Sequence, residues 1–158
     1  AVLDAGKIVE AGPPDQLYTS PLKASTMKYV GFPQANFVSG SMADGESIST
    51  PLFDSNIAIT ATGQAEGDIA LGIRPEHINL MSTSPDGVLS GQAKVLLRED
   101  LGGEEIVYLD INGAQLSTVL RSDDQSQHHL EIDQDVTFWV RPSDVVVFAN
   151  GNRIGTGR

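Results

Sequence analysis

From residue 35 onward the chain sustains no apolar run long and periodic enough for a helix, because Gly, Asp, Asn and Ser interrupt it every few residues. Short runs of Val, Ile, Leu and Phe bounded by such residues are β-strands joined by close turns. Strands are expected near 36–41, 46–50, 57–61, 68–73, 77–81, 89–98, 104–111, 115–121, 135–140 and 144–148. This many short strands predicts a barrel or a sandwich. Asn112-Gly113, between Tyr108-Leu109-Asp110-Ile111 and Leu116, is the strongest hairpin signal, since a two-residue hairpin turn asks for positive φ at both central positions.

The first 33 residues have another texture. Val2-Leu3 and Ile8-Val9 flank Asp4-Ala5-Gly6-Lys7, a tight-turn tetrapeptide, and predict a hairpin. Gly12-Pro13-Pro14 ends it, because proline cannot donate to a ladder. A short helix is expected over Pro14 to Ser20, with proline in its first turn and Pro21 as its stop. A second is expected over Leu22 to Val30, with Gly31 as C-cap. Charge divides at the same place. Residues 1–34 hold Lys7, Lys23 and Lys28 against Asp4, Glu10 and Asp15, whereas 35–158 hold 7 basic and 18 acidic side chains and so carry the whole net charge of −11. Two units follow, 1–33 and 34–158.

An internal echo runs through the second unit. Residues 69–81 read IALGIRPEHINLM and residues 136–148 read VTFWVRPSDVVVF, each a strand, an Arg-Pro corner and a strand. Proline removes a ladder donor and turns the chain, so two pseudo-equivalent corners are expected at Arg74 and Arg141.

Several functions are excluded early. An acidic chain repels phosphate backbones, which argues against nucleic-acid binding. Cysteine is absent, so there is no disulfide framework, thiolate zinc site or thiol nucleophile. No apolar stretch approaches the ~20 residues of a membrane span, and no signal-peptide pattern occurs. The chain opens at Ala1 and is apolar from Val2, which reads as the middle of a strand in a longer protein.

No hydrolase elbow, zinc-protease helix, dinucleotide fingerprint or phosphate loop is present, and neither a catalytic nor a metal-binding set of residues is expected. Glu99, Asp100, Glu104 and Glu105 flank Leu101-Gly102-Gly103. Such carboxylates could do acid/base work or hold a hard cation; the missing calcium-loop spacing favours a solvated hairpin end. His77 follows Arg74-Pro75-Glu76 and is read as packing at that corner. His128 and His129 sit in a polar stretch, read as a loop with a metal role as the alternative. Arg74 and Arg141 suit a planar acceptor, which is an anion, a partner's carboxylate or an acid of this chain. Trp139 is read as core, and as an interface anchor if exposed.

The run Val2-Leu3-Asp4-Ala5-Gly6-Lys7-Ile8 through Gly12-Pro13-Pro14-Asp15-Gln16-Leu17-Tyr18 to Pro21 resembles the end of the nucleotide-binding domain in ATPase subunits of ABC importers, above all the maltose-type carbohydrate importers. Gly31-Phe32-Pro33-Gln34-Ala35-Asn36-Phe37 is similar to the junction that follows there, with Phe32 where serine is usual. Gly72-Ile73-Arg74-Pro75-Glu76-His77 and Arg98-Glu99-Asp100-Leu101-Gly102-Gly103-Glu104 resemble signatures of the family's C-terminal regulatory domain, a transport-associated OB-like β unit.

The resemblance implies a mainly β fold: an OB-like barrel preceded by a hairpin and helices from the end of an ATPase domain. It implies a regulatory and dimerisation role, with a second copy, permease subunits and a regulatory protein or small effector as partners. The implied location is the cytoplasmic side of the inner membrane. ATP and Mg belong to an upstream domain, so no cofactor is expected on this chain, and His77 is not the family's switch histidine. Contact residues expected from motif position are Arg74, Glu76, His77, Glu99, Leu101, Gly102 and Arg141. Alternatives are an oxyanion-binding module and a protein-docking module without self-association.

Overall fold

The computed structural model describes residues 1–61, 66–80, 85–121 and 130–158. Met81, the last residue of the expected 77–81 strand, and His128 and His129 lie outside them. The chain opens with an antiparallel hairpin, β1 (Val2–Asp4) and β2 (Lys7–Glu10). Its turn has φ of 47° at Ala5 and 76° at Gly6. Two one-and-a-half-turn helices follow, α1 (Pro14–Thr19) and α2 (Ala24–Tyr29). Pro14 stands in the first turn of α1, where its missing N–H has no helical partner to lose.

Six antiparallel strands then close a barrel: β3 (Asn36–Met42), β4 (Ser47–Ser49), β5 (Ile57–Ala61), β6 (Ile69–Ile73), β12 (Val145–Ala149) and β13 (Asn152–Gly157). The order around it is β12-β13-β5-β4-β3-β6, closed by pairing of β6 with β12. Between β6 and β12 the chain makes a five-stranded sheet in the order β10-β9-β8-β11-β7. Its members are β7 (Asn79–Leu80), β8 (Leu89–Asp100), β9 (Glu104–Ile111), β10 (Ala114–Arg121) and β11 (Asp135–Val140). The mainly β, barrel-containing fold agrees with the sequence reading.

Strand periodicity decides which side chains go inward. On β8, Leu89, Ala93 and Val95 are buried while Gln92 and Lys94 between them are exposed. A register shift between Val95 and Leu97 ends that alternation, leaving Leu96 and Leu97 exposed. Ile48, Ile57, Leu71, Ile73 and Val147 of the barrel share one apolar core with Leu89, Val95, Val107, Leu109, Leu116 and Phe138 of the sheet. The barrel and sheet are also joined by a buried polar knot. The Asn36 side chain donates to Ser117 O at 2.9 Å and to Ile73 O at 3.3 Å, while its Oδ1 accepts from Ser117 N at 2.7 Å.

Three expectations are revised. The expected C-cap Gly31 has φ of 126°, outside the helical left-handed well, and Val30 ends α2 in an extended conformation. The expected strand over 77–81 is cut to Asn79–Leu80 in the described residues, because Pro75–His77 form one turn of 3-10 helix. One strand, β13, goes unread in the sequence. Its polar, glycine-bearing run Asn152-Arg153-Ile154-Gly155-Thr156-Gly157 has little strand character, yet it closes the barrel between β12 and β5. Asn150-Gly151 before it carries the same signal as Asn112-Gly113, and both dipeptides have positive φ throughout.

Candidate functional site

β12 has five consecutive buried residues, which a strand facing solvent on one side would not have. Val145, Val147 and Ala149 point into the main core. Val146 and Phe148 point outward into a second cluster with Met27 of α2 and Ala35, flanked by Phe37. The N-terminal segment is therefore packed on the outside of the barrel, and the signature Gly72-Ile73-Arg74-Pro75-Glu76-His77 forms the platform beneath it.

Each residue of that signature contributes differently. A Cβ on Gly72 would stand 2.6 Å from Met27 Sδ and 3.1 Å from the Phe148 ring, so only glycine lets α2 approach this closely. Ile73 is core. Arg74 is 4 % exposed. Its Nη1 donates to Val30 O at 2.7 Å and its Nη2 to Tyr18 O at 2.6 Å. Its guanidinium carbon also lies 3.7 Å above the centre of the Tyr18 ring. Pro75 starts the 3-10 turn, and Glu76 accepts a hydrogen bond from the Tyr18 hydroxyl. Gly31 completes the fit, since a Cβ there would stand 2.8 Å from Arg74 Nη1 and 3.1 Å from the Tyr18 ring.

A second clamp lies nearby. The Glu10 carboxylate accepts from the backbone N–H of Leu22 at 3.0 Å and of Lys23 at 3.2 Å. The segment so held bonds to the start of β13. Ala24 N donates to Gly151 O, Arg153 N donates to Leu22 O, and Lys23 Nζ reaches Asn152 Oδ1 at 2.5 Å. The two Arg-Pro corners meet at this seam. Ile73 pairs with Val145, so the corner after β6 lies beside the corner before β12. His77 and Asp144, the fourth residues of the two corners, line one cleft between the segment and the barrel, with Arg153 and Tyr18.

Burial moves two charge equilibria here. It lowers the Arg74 pKa from the ordinary arginine value, a change eased by Tyr18 and Glu76. The Tyr18 phenol is raised, first by burial, then by its hydrogen bond to Glu76 and that carboxylate's charge, with Arg74 opposing. A phenol with a folded-state pKa above its unfolded value stabilises the fold below about pH 10, and that contribution is lost as pH rises through the folded value. Spectroscopic titration of tyrosinate should therefore show a late-ionising phenol that Tyr18→Phe removes, and the alkaline loss of stability should be shallower in that variant. Loss in the variant of a phenol that ionises in the ordinary tyrosine range, with the late ionisation intact, would refute it.

The other expected contact residues lie elsewhere. Glu99, Leu101 and Gly102 are at the β8–β9 turn, the far end of β8 from the Arg-Pro corners, roughly 35 Å along the strand. There Gly102 has φ of 90° and its N–H donates to Asp100 Oδ1 at 2.7 Å. Tyr108 donates to Glu99 Oε2 at 3.2 Å, and Glu105 pairs with Arg98 at 2.5 Å. These carboxylates are engaged within the chain, and among the described residues no His, Asp or Glu group is arranged to hold a metal ion. Leu101 is exposed at the tip. Arg141 is exposed on its corner, and its carbonyl accepts from Asp144 N. Trp139 is buried. Arg74 takes its partners from within the chain, and they are backbone carbonyls and an aromatic ring in place of the acid expected for an internal pair. Sequence reasoning missed Arg153 and Asp144 because β13 went unread and the second corner was searched only at its arginine.

The TOBE domain family matches residues 71–148, a span that includes the platform, both corners and the five-stranded sheet. The maltose/maltodextrin import ATP-binding protein MalK of Vibrio parahaemolyticus is 35 % identical over 129 residues, covering 78 % of this chain and 34 % of that protein. The Escherichia coli protein of the same name is 30 % identical over 131 residues, with the same two shares, 78 % and 34 %. The chain thus spans about a third of the length of the curated relatives it matches. Among solved structures, the cytoplasmic molybdate-binding protein ModG superposes with a TM-score of 0.55 at 12 % identity, over 72 % of this chain and 95 % of that one. At that identity the likeness concerns the fold alone.

Proposed function

Because this chain belongs to the TOBE domain family across residues 71–148, we propose that it serves as the C-terminal regulatory part of the ATP-binding subunit of an ABC importer, of the carbohydrate type. The observation that carries this reading is the likeness to maltose import ATP-binding proteins, 35 % identity across 78 % of the chain. The geometry supports it. A hairpin and two short helices, tied to one another by Glu10, are stapled to a barrel by Arg74 and by the bonds of Leu22 and Ala24 to Arg153 and Gly151, so motion of anything attached to the segment would pass to the β unit as a rigid body. Leu3 and Ile8, opposed across the hairpin, are 61 % and 67 % exposed, an apolar pair suited to cover by an upstream ATPase domain.

On this reading the parent subunit hydrolyses ATP and drives a permease, while the part described here does no chemistry. It keeps two copies together at the cytoplasmic face of the membrane and offers a surface to a regulator. No described helix is long and apolar enough to cross a membrane. Oxyanion binding is the second reading; it draws on fold likeness alone, and a net charge of −11 opposes anion capture. Two measurements test the proposal. The reading frame upstream of the Ala1 codon is expected to encode a G-x-x-x-x-G-K-[ST] loop about one domain, ~200 residues, earlier. A frame that opens at Ala1 without that loop overturns the importer reading. Light scattering of the chain at high micromolar concentration is expected to give the mass of a dimer, and a strict monomer removes the self-association.

A further inference from the structure

The seam is not closed along its whole length. Between its two clamps lies a cleft of ≈ 190 Å³. At ~30 Å³ of liquid per water molecule, that is room for about six waters or one small metabolite. Tyr18, Thr19, Pro21 and Met27 form one wall, and His77, Asp144, Val146 and Arg153 are among the residues of the other.

The charged groups around it divide into two sets. Arg74 is engaged by Val30 O, Tyr18 O and the Tyr18 ring, and Glu76 by the Tyr18 hydroxyl. Arg153 and Asp144 are different. Both side chains are half-buried in the cleft, yet neither makes a hydrogen bond or ion pair with any described residue, nor do they pair with each other. His77 adds a third such group, since its Nδ1 is buried without a hydrogen-bond partner. The charged ends of Arg153 and Asp144 still reach solvent, and a ligand bringing a complementary group to each gains a charge-assisted contact without breaking one among the described residues.

These two unpaired charges on one cleft are opposite in sign, which selects the ligand. A simple anion would satisfy Arg153 but be repelled by Asp144 and by the acidic surface; a simple cation would meet the reverse. A molecule that is neutral overall and carries both charges meets neither penalty. We propose that this cleft binds a small zwitterion of the α-amino-acid class, its carboxylate on the Arg153 fork and its ammonium on Asp144. Because one wall is the N-terminal segment and the other is the barrel, occupancy would tighten the seam. The inference stands on the cleft and does not depend on the transport reading.

Calorimetric titration of the chain with the standard α-amino acids, each at millimolar concentration, tests it, with acetate and methylammonium as single-charge controls. The expected result is saturable binding of one or a few amino acids and of neither control. R153Q and D144N should each weaken it about tenfold or more, the loss of one charge-assisted contact. Thermal melting establishes that each variant is folded, and D144N, on a corner turn outside the strands, keeps the test decisive if R153Q is not. No heat with any amino acid overturns the proposal. So does binding that both substitutions leave intact, and so does acetate binding equally well with D144N unaffected, which would make this a plain anion site.

Discussion

Arg74→Ala is expected to free residues 18–31 from the barrel while leaving the barrel folded. The substitution deletes two charge-assisted hydrogen bonds to backbone carbonyls and the stacking on Tyr18. It also leaves the Val30 and Tyr18 carbonyls without their donor. Each charge-assisted bond contributes about 1.5–3 kcal/mol and the cation–π contact about 0.5–2 kcal/mol, while recovering the desolvation of a buried guanidinium offsets part of the sum. A net local loss of about 3 kcal/mol is expected, which is roughly a hundredfold in the opening equilibrium. Amide hydrogen exchange reads it directly. The N–H groups of Met27 and Val30, bonded to Lys23 O and Thr26 O, should exchange about two orders of magnitude faster, with Leu71 and Val147 unchanged. Arg74→Lys should recover less than half of the protection, since an ammonium cannot span both carbonyls and stack at once. Unaltered exchange across residues 18–31 would show that Met27 packing and the bonds of Leu22 and Ala24 to Arg153 and Gly151 hold the segment without Arg74.

The second large effect is expected at Asn36. It is the polar knot between β3 of the barrel and β10 of the sheet, using both its amide donor and its carbonyl. Asn36→Ala strands the Ser117 N–H in a buried place and leaves Ser117 O unpaired. An orphaned buried group costs about 1–3 kcal/mol, so global stability should fall by about 2–3 kcal/mol. For a chain of this size that lowers the melting temperature by roughly 5–10 °C. Asn36→Asp should be worse near neutrality, because a carboxylate would face the Ile73 and Ser117 carbonyls. That variant should regain stability as pH falls, since a protonated carboxyl can donate where the amide did and its folded-state pKa is therefore raised. A melting temperature unchanged in Asn36→Ala would mean that water replaces the side chain.

The strands that proved legible are those whose side chains alternate or cluster by hydrophobicity. β8, β9, β10, β11 and β12 each carry enough Val, Ile, Leu or Phe to identify them. β13 does not, since its place is decided by its neighbours β12 and β5 and by the Asn150-Gly151 turn. The signature around Arg74 was equally visible as a pattern, but its partners were not. Tyr18 and Val30 lie 56 and 44 residues away in sequence, and nothing local distinguishes a carbonyl that will meet a guanidinium from one that will not.

By itself, then, the sequence determined the β class and the hairpin turns, because strand alternation and positive φ are properties of a few adjacent residues. Only the tertiary structure decided that Gly72, Arg74 and Glu76 face the N-terminal segment, that the β8–β9 turn lies far from them, and that Arg153 and Asp144 share a cleft. Those facts depend on barrel closure, which brings β6 against the β12–β13 hairpin from more than 60 residues away in sequence. Such contacts follow from the packing of the whole core, which no short stretch of chain encodes.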